Sequence, residues 1–313
     1  MQLQVQSLEP TVDVDNPTLK INRFWKYFYK CYGFQISDEN APTARKYCFT
    51  SFASSHVLLN TIYISFMLLQ GVNDPSIDYI CFLISILICW IQSFTCLVVL
   101  YKRQTQFSQC LNQLLANITP DYRKRAGKTL IVIMAVSNAV IIITSFGEIV
   151  MFNEEASNQY IIVMWKIFQL YYWFTILLNE TTKVVFVYLC ILLAFNFECL
   201  MTDVATSIAE KKIMLNHHYN YYKNIHWINE VNKLFDALLA VWIATDIIYI
   251  CVMLRFGIKG ELHLSFTSLY TFRVLWLLLL MYKYAAIVKE KAQETAIAIT
   301  KLTDSLVNEY NRQ

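Results

Sequence analysis

Long apolar runs alternate with short polar segments along the chain. Six of these runs are long enough to cross a bilayer as helices. They lie at about 52–70, 78–101, 129–152, 160–200, 235–256 and 264–288. A crossing takes about 20 apolar residues, because the hydrocarbon core is about 30 Å thick. The pattern predicts an all-α fold, a polytopic transmembrane helical bundle with six spans.

The fourth run, 160–200, is long enough for one crossing with an extension or for two crossings. Its polar midpoint, 179–183, has no Gly or Pro on which the chain could turn. Short cytoplasmic loops accumulate Lys and Arg. A single crossing collects most of the 26 basic residues on one side of the membrane. We therefore expect one long fourth helix and a cytoplasmic N-terminus.

The polar segments predict short appendages of this bundle. Residues 1–51 form a cytoplasmic N-terminal segment, and 52–288 form the transmembrane bundle. A cytoplasmic helical loop is expected at 201–234, and a cytoplasmic helical tail at 289–313.

The composition argues against a soluble domain and against a nucleic-acid-binding protein. The chain has 313 residues, of which 57% are hydrophobic and 16% are charged. A soluble domain has about 45–50% apolar and about 25% charged residues. The net charge of +3 is spread along the chain, so no basic stripe for nucleic acid is present.

No pattern for catalysis, a metal or a cofactor is present. The five histidines include no H-E-x-x-H spacing, and the sequence has no G-x-S-x-G motif or glycine-rich phosphate loop. The nine cysteines lie mostly in apolar runs, where they behave as small hydrophobic residues. We expect a protein that is not an enzyme.

Ionisable residues inside predicted spans are candidates for function because charges in lipid are costly. Glu180 and Lys183 are spaced i, i+3 and can pair on one helix face. Asp246 and Arg273, in the fifth and sixth spans, either pair with each other or leave Asp246 to contact a ligand. Glu148, near the outer end of the third span, either reaches water or faces a ligand.

Aromatic side chains are dense in the first half of the fourth run. Tyr172 and Trp173 belong either to an interfacial aromatic belt or to the wall of a pocket. With a pocket, the predicted ligand-binding residues are Glu148, Tyr172, Trp173 and Asp246.

Two blocks of the C-terminal third have a recognisable pattern of residue types. The first, within 214–256, contains His218, Ile228, Asn229, Val231, Asn232, Phe235, Leu238, Leu239 and Tyr249. The second contains Arg273, Ala285, Ala286, Val288 and Glu290. In these blocks the chain resembles the arthropod gustatory receptor family of the insect chemoreceptor superfamily.

The resemblance implies a multi-pass protein of the plasma membrane with inverted topology. It also implies a subunit of a ligand-gated cation channel that detects a small-molecule tastant. Four like or related subunits associate in that family through cytoplasmic helices, here 201–234 and 284–311. The family's pore is lined by a seventh span, and this sequence reaches Gln313 without one. The expectation is a truncated subunit that does not conduct alone.

Two alternatives stay open at the sequence level. A G-protein-coupled receptor would have an external N-terminus and a seventh span. The other alternative is a non-signalling membrane protein, such as an accessory or lipid-handling subunit.

Overall fold

The computed structural model describes residues 25, 27–32, 43–71, 77–155, 159–210, 216–260 and 264–310. Within these residues there are six long helices and no strand. They are α1 (Thr43–Gly71), α2 (Ile77–Ala116), α3 (Pro120–Glu155), α4 (Gln159–Glu210), α5 (Asn216–Lys259) and α6 (Leu264–Tyr310). The predicted all-α fold is confirmed.

Among the described residues, five segments are long and apolar enough to cross a membrane. They are Leu83–Ala116, Pro120–Thr144, Trp173–Ser207, Asn216–Lys259 and Ser265–Asp304. Each contains or overlaps one of the last five apolar runs of the sequence. The first run, 52–70, lies within α1, and its crossing stays a prediction.

The helix α4 is the centre of the bundle. It is continuous over 52 residues, which corresponds to about 78 Å at about 1.5 Å per residue. It contacts α2, α3, α5 and α6, and every residue from 178 to 194 is buried. A helix that is apolar around most of its circumference is typical of such a buried position. Because α4 has no turn, it can cross a bilayer only once.

Proline and glycine mark the places where the helices begin, end and approach each other. Pro120 is the first residue of α3. A backbone N–H at this position has no hydrogen-bond partner within the helix, so proline, which lacks the N–H, is well tolerated there. Gly260 follows α5 with a φ of 74°, a left-handed conformation suited to glycine. A Cβ atom at Gly257 would lie 2.7 Å from Cγ2 of Thr267, so glycine allows α5 and α6 to approach closely.

Helix α2 has a break at Arg103, where φ is −113° and ψ is 16°. Helix α2 continues to Ala116, beyond the apolar run 78–101. Helices α4 and α6 also extend beyond their apolar runs, 160–200 and 264–288. Apolar runs therefore locate the crossings but not the helix ends.

A short helical segment at 27–32 packs onto the bundle. The Trp25 ring lies 6.5 Å from the Tyr188 ring, between centroids, and the hydroxyl of Tyr32 donates to the carbonyl of Phe174 at 2.9 Å. Trp25, Tyr29 and Tyr32 are at most 1% exposed. This part of the predicted N-terminal appendage is therefore integrated into the core.

Candidate functional site

Polar side chains from four helices meet in the interior of the bundle. We call them the central polar cluster. Its members are Gln92 of α2, Asn179, Glu180 and Lys183 of α4, Asp246 of α5, and Arg273 of α6. Each is at most 4% exposed. Buried charges at this depth require partners, because an isolated charge in low dielectric is strongly destabilising.

Lys183 lies between two carboxylates. Its Nζ donates to Oδ2 of Asp246 at 2.9 Å and to Oδ1 at 3.1 Å. The same Nζ is 3.8 Å from Oε1 of Glu180, an ion pair longer than a normal hydrogen bond. The ammonium group of Lys183 therefore interacts mainly with Asp246.

A chain of amide hydrogen bonds extends this ion pair across three helices. Nε2 of Gln92 donates to Oδ1 of Asp246 and to Oγ1 of Thr245, both at 2.6 Å. Nδ2 of Asn179 donates to Oε1 of Gln92 at 2.7 Å, and Nε1 of Trp242 donates to Oδ1 of Asn179 at 2.8 Å. Because an ionised carboxylate only accepts, it fixes the orientation of the Gln92 amide.

The helical repeat explains why these residues face one another. On α5, Trp242, Asp246 and Tyr249 are spaced i, i+4 and i+7, so they share one face. On α4, Glu180 and Lys183 are spaced i, i+3 and share another.

Arg273 enters the cluster from α6 through aromatic contacts. Its Cζ lies 5.7 Å from the centroid of the Tyr270 ring and 5.9 Å from that of Tyr249. These are distances at which a guanidinium is attracted to the face of an aromatic ring.

A small cavity adjoins the cluster. Residues of α2, α4, α5 and α6 line it, and they include Ile88, Gln92, Ile176, Asn179, Glu180, Asp246, Tyr249, Arg273 and Val274. The space has room for about one water molecule. The cavity is therefore too small for a larger molecule, which would enter it only after the lining side chains had moved.

The structure places the predicted pairing residues together. Glu180 and Lys183 make the i, i+3 contact described above. The shorter contact of Lys183 with Asp246 does not follow from spacing along one helix, because the two residues are 63 positions apart. Asp246 and Arg273 line the same cavity, and a direct pair between them stays a prediction.

The predicted ligand-binding residues divide into two groups. Asp246 lines the cavity, and Trp173 lies about two turns before Glu180 on α4. Within the described residues, Nε1 of Trp173 has no hydrogen-bond partner. Glu148 and Tyr172 lie outside the residues whose side chains are described.

Gln92, Asn179 and Trp242 belong to the network without having been predicted. The signal for Gln92 is an amide inside the apolar segment of α2, and for Asn179 it is the polar midpoint of α4. Among the described residues, no group of three His, Cys, Asp or Glu side chains could hold a metal ion.

Comparison with known proteins identifies the class of fold. On their own, the long apolar helices indicate only a helical membrane protein that crosses the bilayer several times. The fold is similar to the insect olfactory receptor OR5 from Machilis hrabei, with a TM-score of 0.64 and 14% identity. That match covers 89% of this chain and 82% of the receptor chain.

A second structure of OR5 from Machilis hrabei, in complex with eugenol, is similar with a TM-score of 0.64 and 11% identity. It covers 95% of this chain and 100% of the receptor chain. The sequence matches no protein family and no curated protein. The chain thus has the fold of an insect olfactory receptor.

Proposed function

We propose that the chain is a gustatory-type chemoreceptor subunit, a member of a ligand-gated cation channel family that detects a small-molecule tastant. One observation carries this proposal, the similarity of the fold to an insect olfactory receptor over 89% of the chain. The gustatory assignment rests on the sequence resemblance in the two C-terminal blocks. The subunit acts in the plasma membrane within a homo- or hetero-tetramer.

The proposed topology has six spans and cytoplasmic termini. The continuity of α4 supports it, because this helix cannot return across the bilayer. The distribution of Lys and Arg supports the same orientation.

Accessibility labelling tests this topology. Cysteines introduced by Lys211→Cys and Lys301→Cys should be protected from a membrane-impermeant reagent, whereas Asn73→Cys should react. The unmodified chain measures the background from native cysteines. External labelling at 211 would contradict the six-span topology.

We propose that the ligand occupies an opened form of the cavity beside the central polar cluster. The ligand must have a higher affinity for the open state than for the closed one, since only differential affinity shifts the equilibrium. Asp246 and Trp173 contribute to this site, and Glu148 and Tyr172 are proposed as further wall residues.

Ligand binding and current together test the function. Purified protein in nanodiscs is screened by melting temperature against small molecules that include eugenol. Cells expressing the chain are recorded for cation current, both with the unmodified chain and with the seventh span of a solved olfactory receptor appended. We expect at least one molecule to raise the melting temperature and to evoke current in the extended chain.

Trp173→Ala should shift the concentration dependence of that response while leaving the surface level unchanged. Trp227→Ala, on the part of α5 before the cavity, is the matched control. Absence of stabilisation by every molecule would overturn the proposal. An epitope tag at Met1 that is accessible in intact cells would instead favour a G-protein-coupled receptor, and a non-binding chain with an internal tag would favour an accessory protein.

A further inference from the structure

The carboxylate of Glu180 has an unused acceptor. Its side chain is 4% exposed and lines the cavity. Among the described residues, no hydrogen-bond donor reaches Oε2. A buried polar atom without a partner is destabilising, and most such atoms in folded proteins are satisfied by protein, water or a ligand. Oε2 of Glu180 is therefore a position at which a ligand donor would be favoured.

The other carboxylate of the cluster is already occupied. Oδ1 of Asp246 accepts hydrogen bonds from Gln92 and Lys183, and Oδ2 accepts one from Lys183. Nζ of Lys183 is 0.9 Å farther from Glu180 than from Asp246, as the distances of 3.8 Å and 2.9 Å show. Glu180 is thus the carboxylate with the greater capacity for a new donor.

We infer that the ligand of this cavity is a small, uncharged molecule with a hydroxyl group on an apolar body, and that Glu180 accepts the hydrogen bond of the hydroxyl. This inference rests on the proposed function, because it specifies the ligand of the same site.

The formal charges of the cluster balance, which disfavours an ionic ligand. The described charged members of the central polar cluster are Glu180, Asp246, Lys183 and Arg273, two carboxylates and two cations. A charged ligand would add an uncompensated charge in low dielectric, whereas a hydroxyl satisfies the acceptor and leaves the balance unchanged.

The aliphatic part of the lining suits an apolar body. Ile88, Ile176 and Val274 line the cavity beside Glu180. Trp173, Ile176 and Glu180 are spaced i, i+3 and i+7 on α4, so an aromatic ring, an aliphatic side chain and a carboxylate follow one another along one face. The distance from Trp173 to Glu180 along the helix axis is about 10 Å.

The present cavity accommodates about one water molecule, which is the size of the hydroxyl group alone. Binding would therefore place the ligand oxygen where a water fits and would separate Ile88, Ile176 and Val274 around the apolar body. This opening is the movement that ligand binding would stabilise.

Matched alcohols and methyl ethers test the inference on the full chain in nanodiscs. The pairs are benzyl, 2-phenylethyl, cinnamyl and hexyl alcohol, each with its methyl ether, which retains the apolar body but lacks the donor. For every pair that binds, we expect the alcohol to bind about tenfold more tightly, as for a hydrogen bond to a charged acceptor. Benzylamine, a cation, should bind more weakly than benzyl alcohol.

Substitution of the acceptor assigns the effect to Glu180. In Glu180→Gln the preference for the alcohol should fall to about threefold, because charge-assisted hydrogen bonds are roughly twice as strong as neutral ones. Glu198→Gln makes the same chemical change on α4 outside the cavity lining and should retain the tenfold preference. If the Gln variant does not fold, Glu180→Asp takes its place. This variant keeps the charge beside Lys183, but its shorter side chain withdraws the acceptor from the ligand, so the preference for the alcohol should again fall.

The outcomes separate the two proposals. Equal affinities for alcohol and ether, or tighter binding of benzylamine, would overturn the inference and leave the receptor function standing. An unchanged preference in the folded Glu180 variant would remove Glu180 from the site. No binding by any probe or by any molecule of the screening panel would overturn both proposals.

Discussion

The pair formed by Lys183 and Asp246 and the pair formed by Arg103 and Asp236 both connect α5 to a neighbouring helix. Their N···O distances are similar, 2.9 Å and 3.3 Å. The side chains of the first pair are 0% and 2% exposed, whereas those of the second are 33% and 66% exposed. The two contacts therefore differ in environment far more than in geometry.

The environment decides what each pair contributes. A surface pair gains little, because water solvates both ions when they separate. A buried pair has no such alternative, so removal of one partner leaves a charge that nothing solvates. The buried pair fixes how α4 and α5 meet, and the exposed pair adds little to the contact between α2 and α5.

The largest effect is expected for Lys183→Met, which leaves Asp246 and Glu180 without their shared cation. We expect a loss of about 3–5 kcal/mol in stability. Melting of the protein in nanodiscs and the level at the cell surface would both measure it. The double variant Lys183→Met, Asp246→Leu should recover most of the loss, and additive losses would contradict the pairing.

A smaller effect is expected for Asn179→Leu. The change removes the acceptor for Nε1 of Trp242 and the donor to Gln92, so two buried groups lose their partners. The expected loss is about 1–3 kcal/mol. Asn60→Leu, at a half-buried position of α1, is the matched control for melting measurements. Equal losses in the two variants would show that the network adds no more stability than the single hydrogen bond from Asn60 to the carbonyl of His56.

The far end of α4 provides an intermediate case without ions. Oγ of Ser207 and Nε2 of His217 are 2.8 Å apart, and both side chains are buried. Ser207→Ala should cost about 1 kcal/mol, as for a neutral hydrogen bond. Ser55→Ala on α1 is the control. A loss as large as that of Lys183→Met would contradict the expectation that a neutral contact contributes less stability than a buried charged one.

The smallest effect is expected for Arg103→Ala at the exposed pair, with a loss of at most about 1 kcal/mol. That loss should shrink as salt is added, because mobile ions screen exposed charges. The loss for Lys183→Met should be nearly independent of salt. A salt-insensitive loss at Arg103 would indicate that its pair with Asp236 is more protected than its exposure implies.

Much of the architecture could be predicted because helices in lipid must be long and apolar. The continuity of α4 could be anticipated from a midpoint without Gly or Pro. The apolar runs alone could not give the helix ends, since Glu210 and Tyr310 lie beyond these runs. For 27–32, low hydropathy suggested an appendage, although Trp25, Tyr29 and Tyr32 are spaced i, i+4 and i+7 as on a buried helix face.

Part of the site could also be predicted. Glu180, Lys183, Asp246 and Arg273 are conspicuous because ionisable residues are rare in apolar runs. The partner of Asp246 depends on how α4 and α5 are rotated and packed against each other. The spacing of residues within either helix does not determine this packing. Uncharged Gln92 carries a weaker signal, since amides are less costly in spans than charges.

The separation of Lys183 from Asp246 in the sequence also bears on how the protein is made. The 63 residues between them take roughly 3 to 13 s to synthesise at about 5–20 residues per second. Throughout that interval α4 leaves the ribosome with a lysine whose later partner does not yet exist. Glu180, three residues away, is already present, so the weaker contact of the finished structure is the one that can accompany Lys183 into the membrane.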